Sequence, residues 1–367
     1  FSMSKAAELA ALIANVNKGS SLANKNFVIN GAMNVAQRGT SQTGIGGGNN
    51  GGYKTVDRIN IGDDGSSAGR LTMTQTADGP SGFANCLKLA CTTADTSIAA
   101  GEYLVFEHTF EGQNLQSIAK GTADAKPTTI SFYVKGNASA TYVVELNDQD
   151  NSRSISKSFS VTTSWSRVEL TIPADTTGAY DDDNAKSLSL YFWLHAGSTF
   201  TGGTLNTTWG SRTNANIAAG ISSFFDSTNR TFFMTGLQYE IGEKATEFEH
   251  EPYAVTLQKC QRYLQRWEGS TSVSPYLAHG RGHSTTVCIT DFHYMTEFRA
   301  APSISISSCK CYDGATQAVT SVALNGPMPA TTGINWTVSS GLTQHRPTQV
   351  YLLDTSNTPY VELEAEL

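Results

Sequence analysis

At 367 residues the chain is longer than one average domain; it carries 33 glycines, only 16% charged residues and a formal net charge of −7. The acidic balance argues against nucleic acid as a partner, because phosphate binding needs a concentrated basic surface. The composition favours short strands and tight turns over long salt-bridged helices, and no apolar run is long enough to enter a bilayer as a helix.

The opening Phe1-Ser2-Met3 lacks the basic and apolar regions of a secretory signal, so none is expected. Ser4 can cap a short helix whose apolar residues Ala6, Leu9, Ile13 and Val16 step at coiled-coil spacing and which ends at Asn17-Lys18-Gly19. So short a helix is marginal alone, and Leu9, Ile13 and Val16 are expected to meet copies of themselves. The alternative is docking on its own domain. Residues 1–25 are therefore an N-terminal coiled-coil helix and linker.

Residues 26–250 read as strands. After a Gly/Asn-rich loop at 46–52, alternation is repeated: Leu104, Phe106, His108 and Phe110; Ile130, Phe132 and Val134; Tyr142, Val144 and Leu146; Val168, Leu170 and Ile172; Leu188, Leu190, Phe192 and Leu194; Phe233, Leu237, Tyr239 and Ile241. Period-two alternation puts each set on the inner face of an antiparallel sheet, and the spacing predicts an all-β jelly-roll sandwich. No short repeat suggests a β-helix or propeller. Pro252 opens a second helix, with Leu257, Cys260, Leu264 and Trp267 at heptad-like spacing. This makes 251–268 a linker helix with Leu257 and Leu264 as oligomer contacts. Residues 269–367 form a small β tip domain with strands near 285–290, 302–307, 334–338 and 349–353, closing on an edge-like strand at 360–367.

Six cysteines, at 86, 91, 260, 288, 309 and 311, show no zinc-finger pairing, and reduced thiols in a protein assembled in a cytoplasm are expected.

Asn26-Phe27-Val28-Ile29-Asn30-Gly31-Ala32-Met33-Asn34-Val35-Ala36-Gln37-Arg38-Gly39-Thr40-Ser41 opens a series of motifs. Tyr53 with Asp57-Arg58 follows, then Phe110-Glu111-Gly112-Gln113, 121–127, 131–135, Trp165 to Asp175, Thr235 to Gly242, Ala245-Thr246, Phe248-Glu249 and Cys260-Gln261-Arg262-Tyr263. Over residues 26–267 this series resembles a bacteriophage tail-fibre family. Ile59 departs from it, standing where similar proteins carry Trp. The resemblance implies a homotrimeric fibre located in the virion and assembled in the bacterial host cytoplasm with other phage tail proteins. Its jelly roll looks like a carbohydrate-binding module, and its tip meets a bacterial surface glycan or other receptor.

Tyr191, Trp193 and His195 stand on the strand face opposite the core residues Leu190, Phe192 and Leu194. Aligned aromatics suit a sugar platform, because pyranose C–H groups stack on π faces; cover by another segment would close it. Trp209, in a Gly/Thr-rich loop, is expected to be the better-exposed aromatic. At the tip, Tyr276, His279, Arg281 and His283 gather stacking, hydrogen-bonding and charged groups in one stretch, read as a loop. His279 and His283, with His293, also have transition-metal chemistry, at a spacing that is not diagnostic. Asp181-Asp182-Asp183 crowds carboxylates that suit Ca²⁺ or a solvated turn. No cofactor is expected. There is no G-x-S-x-G, H-E-x-x-H, P-loop or dinucleotide motif, so the chain is read as a non-enzymatic receptor-binding protein. The rival readings are a polysaccharide-degrading tailspike and a purely structural fibre segment.

Overall fold

The computed structural model describes residues 24–48, 51–63, 67–270, 272, 274–354 and 358–367. Leu9, Ile13 and Val16 lie outside the described residues. Two compact units divide the chain, one reaching Thr256 and taking in Leu367, the other spanning Leu257–Glu366.

The first unit is a sandwich of two antiparallel sheets. One has six strands in the order Ser41–Ile45, Arg70–Thr76, Cys86–Thr93, Thr231–Ile241, Thr128–Gly136 and Ser166–Ile172. The other has seven, in the order Gly210–Ser211, Arg153–Val161, Ala140–Asp148, Lys186–Ala196, Tyr103–Glu111, Asn60–Asp63 and Gly52–Tyr53. Their facing sides form one apolar core in which Leu104, Phe106, Phe110, Phe132, Tyr142, Val144, Leu188, Leu190, Phe192 and Leu194 are all buried. The alternating positions thus face inward as expected.

One strand breaks phase. In Thr231–Ile241 the core takes Phe232 and Met234, then Leu237 and Tyr239, because the register with Thr128–Gly136 shifts between Thr235 and Gln238. Gly236, at φ +63°, supplies the left-handed residue that such a bulge needs. Phe233 therefore faces outward, beside Trp165 at 6.4 Å and under the Lys135 ammonium at 4.8 Å.

The motif residues hold the sandwich together by polar contacts. Asn30 donates to the carbonyls of Val35 and Asp57 at 2.9 and 3.0 Å, Asp57 accepts the Gln37 N–H at 2.8 Å, and fully buried Arg58 donates to the Thr109 carbonyl at 3.0 Å. Burial, with the Arg58 charge beside it, holds neighbouring His108 well below the ordinary imidazole range. Glu249 accepts the N–H groups of Lys25 and Asn26 at 2.8 and 2.9 Å, clasping the start of the described chain.

The second unit combines a closed six-stranded antiparallel barrel with a three-stranded sheet. Around the barrel the strands are Tyr276–Gly282, Val287–His293, Thr331–Val338, Thr316–Asn325, Cys309–Tyr312 and Pro347–Leu352. In the sheet, Tyr360–Glu364 is the centre, flanked by Leu264–Glu268 and Ser303–Ser307, and is not an edge. The linker helix is corrected too. It spans Tyr253–Gln261, and Leu264 lies beyond it, fully buried in a strand and paired with Glu364. Leu257 is half-buried in the helix, whose exposed large apolar residues are Tyr253 and Val255. Among the described residues no helix is long and apolar enough to cross a membrane.

All six cysteines are free and buried. Burial pushes the Cys86 and Cys91 thiols up to about 11, away from the reactive thiolate. Thiol titration of the denatured, unreduced chain is expected to find six groups, and the native chain to react slowly. Fewer than six in the denatured chain would contradict this.

Candidate functional site

On the outer face of the seven-stranded sheet, cross-strand pairing aligns Asn60, Glu107, Tyr191, Glu145 and Ser156 in one row. The next row holds Val105, Trp193 and Val143. These three are buried, because Phe200, Leu205, Ile217, Ala218 and Ile221 of the segment 197–226 pack over them. Trp193 is 4% exposed and spends its indole N–H on Glu145 at 2.9 Å; His195 is fully buried. Of the two readings of this face, an open platform or a covered one, the covered one holds: a segment closes it over Trp193, as apolar surface of this size demands. Tyr191 stays half-buried, between Glu107 and Glu145.

Those carboxylates are both engaged. Glu107 accepts from Asn60 at 2.8 Å, and Glu145 accepts from Arg212 at 2.7 Å as well as from Trp193. Burial raises Glu145 above the usual carboxylate range despite Arg212.

Trp209 is also not an open platform. It is half-buried against the core, donates to the Pro173 carbonyl at 3.0 Å and has the Lys120 ammonium 5.3 Å from its ring centre. Lys120 lies beneath it, 2.5 Å from Asp148 and 3.2 Å from Asp175, with Arg153 donating to Asp175 through two bonds of 2.9 Å. Burial alone would raise the Asp175 carboxyl. Hydrogen bonds from Arg153 and the Thr177 N–H, with the Lys120 charge, outweigh it and hold the group below its usual range. Asp181, Asp182 and Asp183 are exposed, Asp183 closing its own turn on the Ala185 N–H at 2.9 Å.

In the second unit Tyr276, His279, Arg281 and His283 are all exposed, but only His283 lies in a turn; the other three do not form a loop. Tyr276–Gly282 is a barrel strand in which Ala278 and Gly282 are buried and His279 and Arg281 point to solvent. A register shift between Tyr276 and Ala278 brings Tyr276 to the same outer face, its ring stacked 6.5 Å from His279.

Pairing then adds residues from two neighbouring strands. Tyr276, Tyr351 and Lys310 form one row, and His279, Gln349 and Tyr312 the next. Tyr276 and Tyr351 rings lie 5.8 Å apart, and the Tyr351 hydroxyl is 2.9 Å from Thr316 Oγ1. Tyr276 is 65% exposed and Tyr312 43%, so two aromatic surfaces stand open on one face. Arg281 and Lys310 add positive charge and donors. Such a face can stack sugar C–H groups on the tyrosines and meet hydroxyls with His279, Gln349 and Arg281.

Tyr312, Gln349 and Tyr351 are functional candidates that the sequence reading missed. The alternation of Cys309-Lys310-Cys311-Tyr312 and Thr348-Gln349-Val350-Tyr351-Leu352 already marks them as outward, since their neighbours Cys309, Cys311, Thr348, Val350 and Leu352 are buried.

No family model matches the chain, and no curated protein matches it. Among solved structures it is similar to the enzymatically active domain of tailspike protein 4 of bacteriophage CBA120, at 13% identity and a TM-score of 0.32, covering 59% of this chain and 21% of that one. It is also similar to the family 11 carbohydrate-binding module of a cellulosomal cellulase of Clostridium thermocellum, at 12% identity and a TM-score of 0.28, covering 55% of this chain and 95% of the module. A third, TmCBM61 in complex with β-1,4-galactotriose, shares 6% identity at a TM-score of 0.29 and covers 60% of this chain and 100% of its own. At such scores the chain is placed in no family.

Proposed function

We propose that this chain is a non-enzymatic receptor-binding protein of a phage tail fibre, attaching to bacterial surface glycans through the outer barrel face that carries Tyr276 and Tyr312. The observation behind it is that face: two open tyrosines bordered by His279, Gln349, Arg281 and Lys310, on rigid strands of a closed barrel. An open face grips a sugar weakly. Homotrimeric display, suggested by the heptad-spaced Leu9, Ile13 and Val16, would turn weak contacts into firm attachment. Trimer formation is checked by the mass of the assembly in solution.

A glycan array followed by titration of the bound sugar tests the binding. Tyr276→Ala and Tyr312→Ala are each expected to weaken it about tenfold, with the melting temperature unchanged. Retained affinity in the folded double variant, together with loss in Tyr191→Ala, would move the contact to the sandwich. Shortening of the polysaccharide on incubation would make the chain an enzyme.

A further inference from the structure

We propose that Asp95, Glu102 and His195 form a binding site for one divalent first-row transition-metal ion, with zinc as the probe. Their donor atoms all lie within 4.8 Å of one another, and all three residues are buried. They come from three separate places in the chain: the turn after Cys86–Thr93, the approach to Tyr103–Glu111, and the penultimate residue of Lys186–Ala196.

The independent observation is the imidazole. His195 is fully buried, yet its Nε2 has no hydrogen-bond partner among the described residues. That nitrogen stands 3.7 Å from Glu102 Oε2, too far for a hydrogen bond. Two ligands of one tetrahedral ion, each bonded at 2.0–2.2 Å, are about 3.4 Å apart, so the gap matches a shared cation.

The remaining contacts behave as an outer shell. Nδ1 of His195 lies 2.7 Å from Ser223 Oγ, which accepts the Phe225 N–H at 3.1 Å and so fixes the ring. Asp95 accepts from the Ala68 N–H at 2.8 Å, the Ser67 hydroxyl at 3.0 Å and the Ser97 N–H at 3.1 Å. The strand itself is bent to serve the site. A register shift between Trp193 and His195 buries both Leu194 and His195, where regular alternation would send one of them outward. The imidazole nitrogen selects a zinc-like ion over Ca²⁺, which prefers oxygen alone.

The ion would also act as a clasp. The Asp95 N–H donates to the Phe225 carbonyl at 2.8 Å, and Glu102 O accepts the Gly197 N–H at 2.8 Å. The ligand residues thus hold both ends of the segment that covers Trp193.

Chelator-treated full-length protein is titrated with Zn²⁺, and separately with Co²⁺ while the visible d–d bands are followed. One ion per chain, Co²⁺ bands showing nitrogen ligation, and slower hydrogen exchange across 197–226 are expected. Glu102→Gln and His195→Gln should each weaken binding at least tenfold, their fold being checked by circular dichroism. Three results would overturn the site: no d–d bands from the unaltered chain, unchanged Zn²⁺ affinity in the folded variants, or Ca²⁺ held in preference to Zn²⁺.

Discussion

Replacing Lys120 with methionine will cost the sandwich about 3–5 kcal/mol, a large share of the 5–15 kcal/mol that holds a typical domain. The side chain is 2% exposed and lies between Asp148 and Asp175, themselves 0% and 5% exposed, and it also donates to the carbonyls of Thr177 and Gly178 at 2.9 and 2.7 Å. Methionine fills the volume and leaves two enclosed carboxylates without their central cation. Arg153 still serves Asp175, and Asn151 still donates to Asp148 at 3.0 Å, so the loss is large without being total. Urea denaturation of the variant measures it. A midpoint equal to that of the unaltered chain would show the network to be dispensable.

Asp175 also contributes to the response to acid. Because the folded state holds Asp175 below its ordinary value, its stabilisation is complete above about pH 4 and is lost as pH falls through the folded value. Without Lys120 the folded value rises toward the ordinary one, so the stability that Asp175 loses in acid should be smaller.

Trp336→Ala is expected to unfold the barrel selectively. Trp336 is fully buried at the barrel centre among Cys288, Ile334, Val350 and Leu352, and its indole N–H donates to Thr290 Oγ1 at 2.9 Å. Truncation leaves a cavity and an unpaired hydroxyl, a loss of about 3–5 kcal/mol that lowers the barrel's melting temperature by more than about 12 °C. The two units have separate apolar cores, so calorimetry should show the barrel transition falling while that of the sandwich stays. A single transition that moves as a whole would mean the units melt together. If the barrel face binds sugar as proposed, binding is lost in this variant through unfolding, whereas Tyr276→Ala weakens it in a folded protein.

Much of the sandwich was legible because its inner faces repeat every second residue. Leu188, Leu190, Phe192 and Leu194 needed nothing but alternation to be placed. Alternation fails where one extra residue enters a strand. Gly236 turns Phe233 outward, and the shift beside Leu194 draws His195 inward. Helix and strand periods also coincide over short spans, so Leu264 and Trp267 passed as heptad positions although they belong to a strand. Tyr276, His279 and Arg281 were found as a group and misread as a loop, because Gly280 and Gly282 among them signal a turn. In the barrel these glycines have another cause. A Cβ on Gly280 would meet the Ile289 carbonyl at 2.0 Å, and one on Gly282 the Thr343 carbonyl at 2.3 Å. Tyr312, Gln349 and Tyr351 could be read as outward but not as neighbours of Tyr276, since only the barrel's pairing brings three distant strands together.

Closure of the barrel ladder has an evolutionary consequence. Every strand of the ring finds its backbone partners on both sides, so the outward side chains carry no share of that bonding. Exposed positions such as Tyr276, His279, Arg281 and Tyr312 can change identity at a typical cost within about 0.5 kcal/mol, leaving the scaffold intact. Selection can therefore exchange one surface chemistry for another in single steps, without rebuilding the fold that presents it.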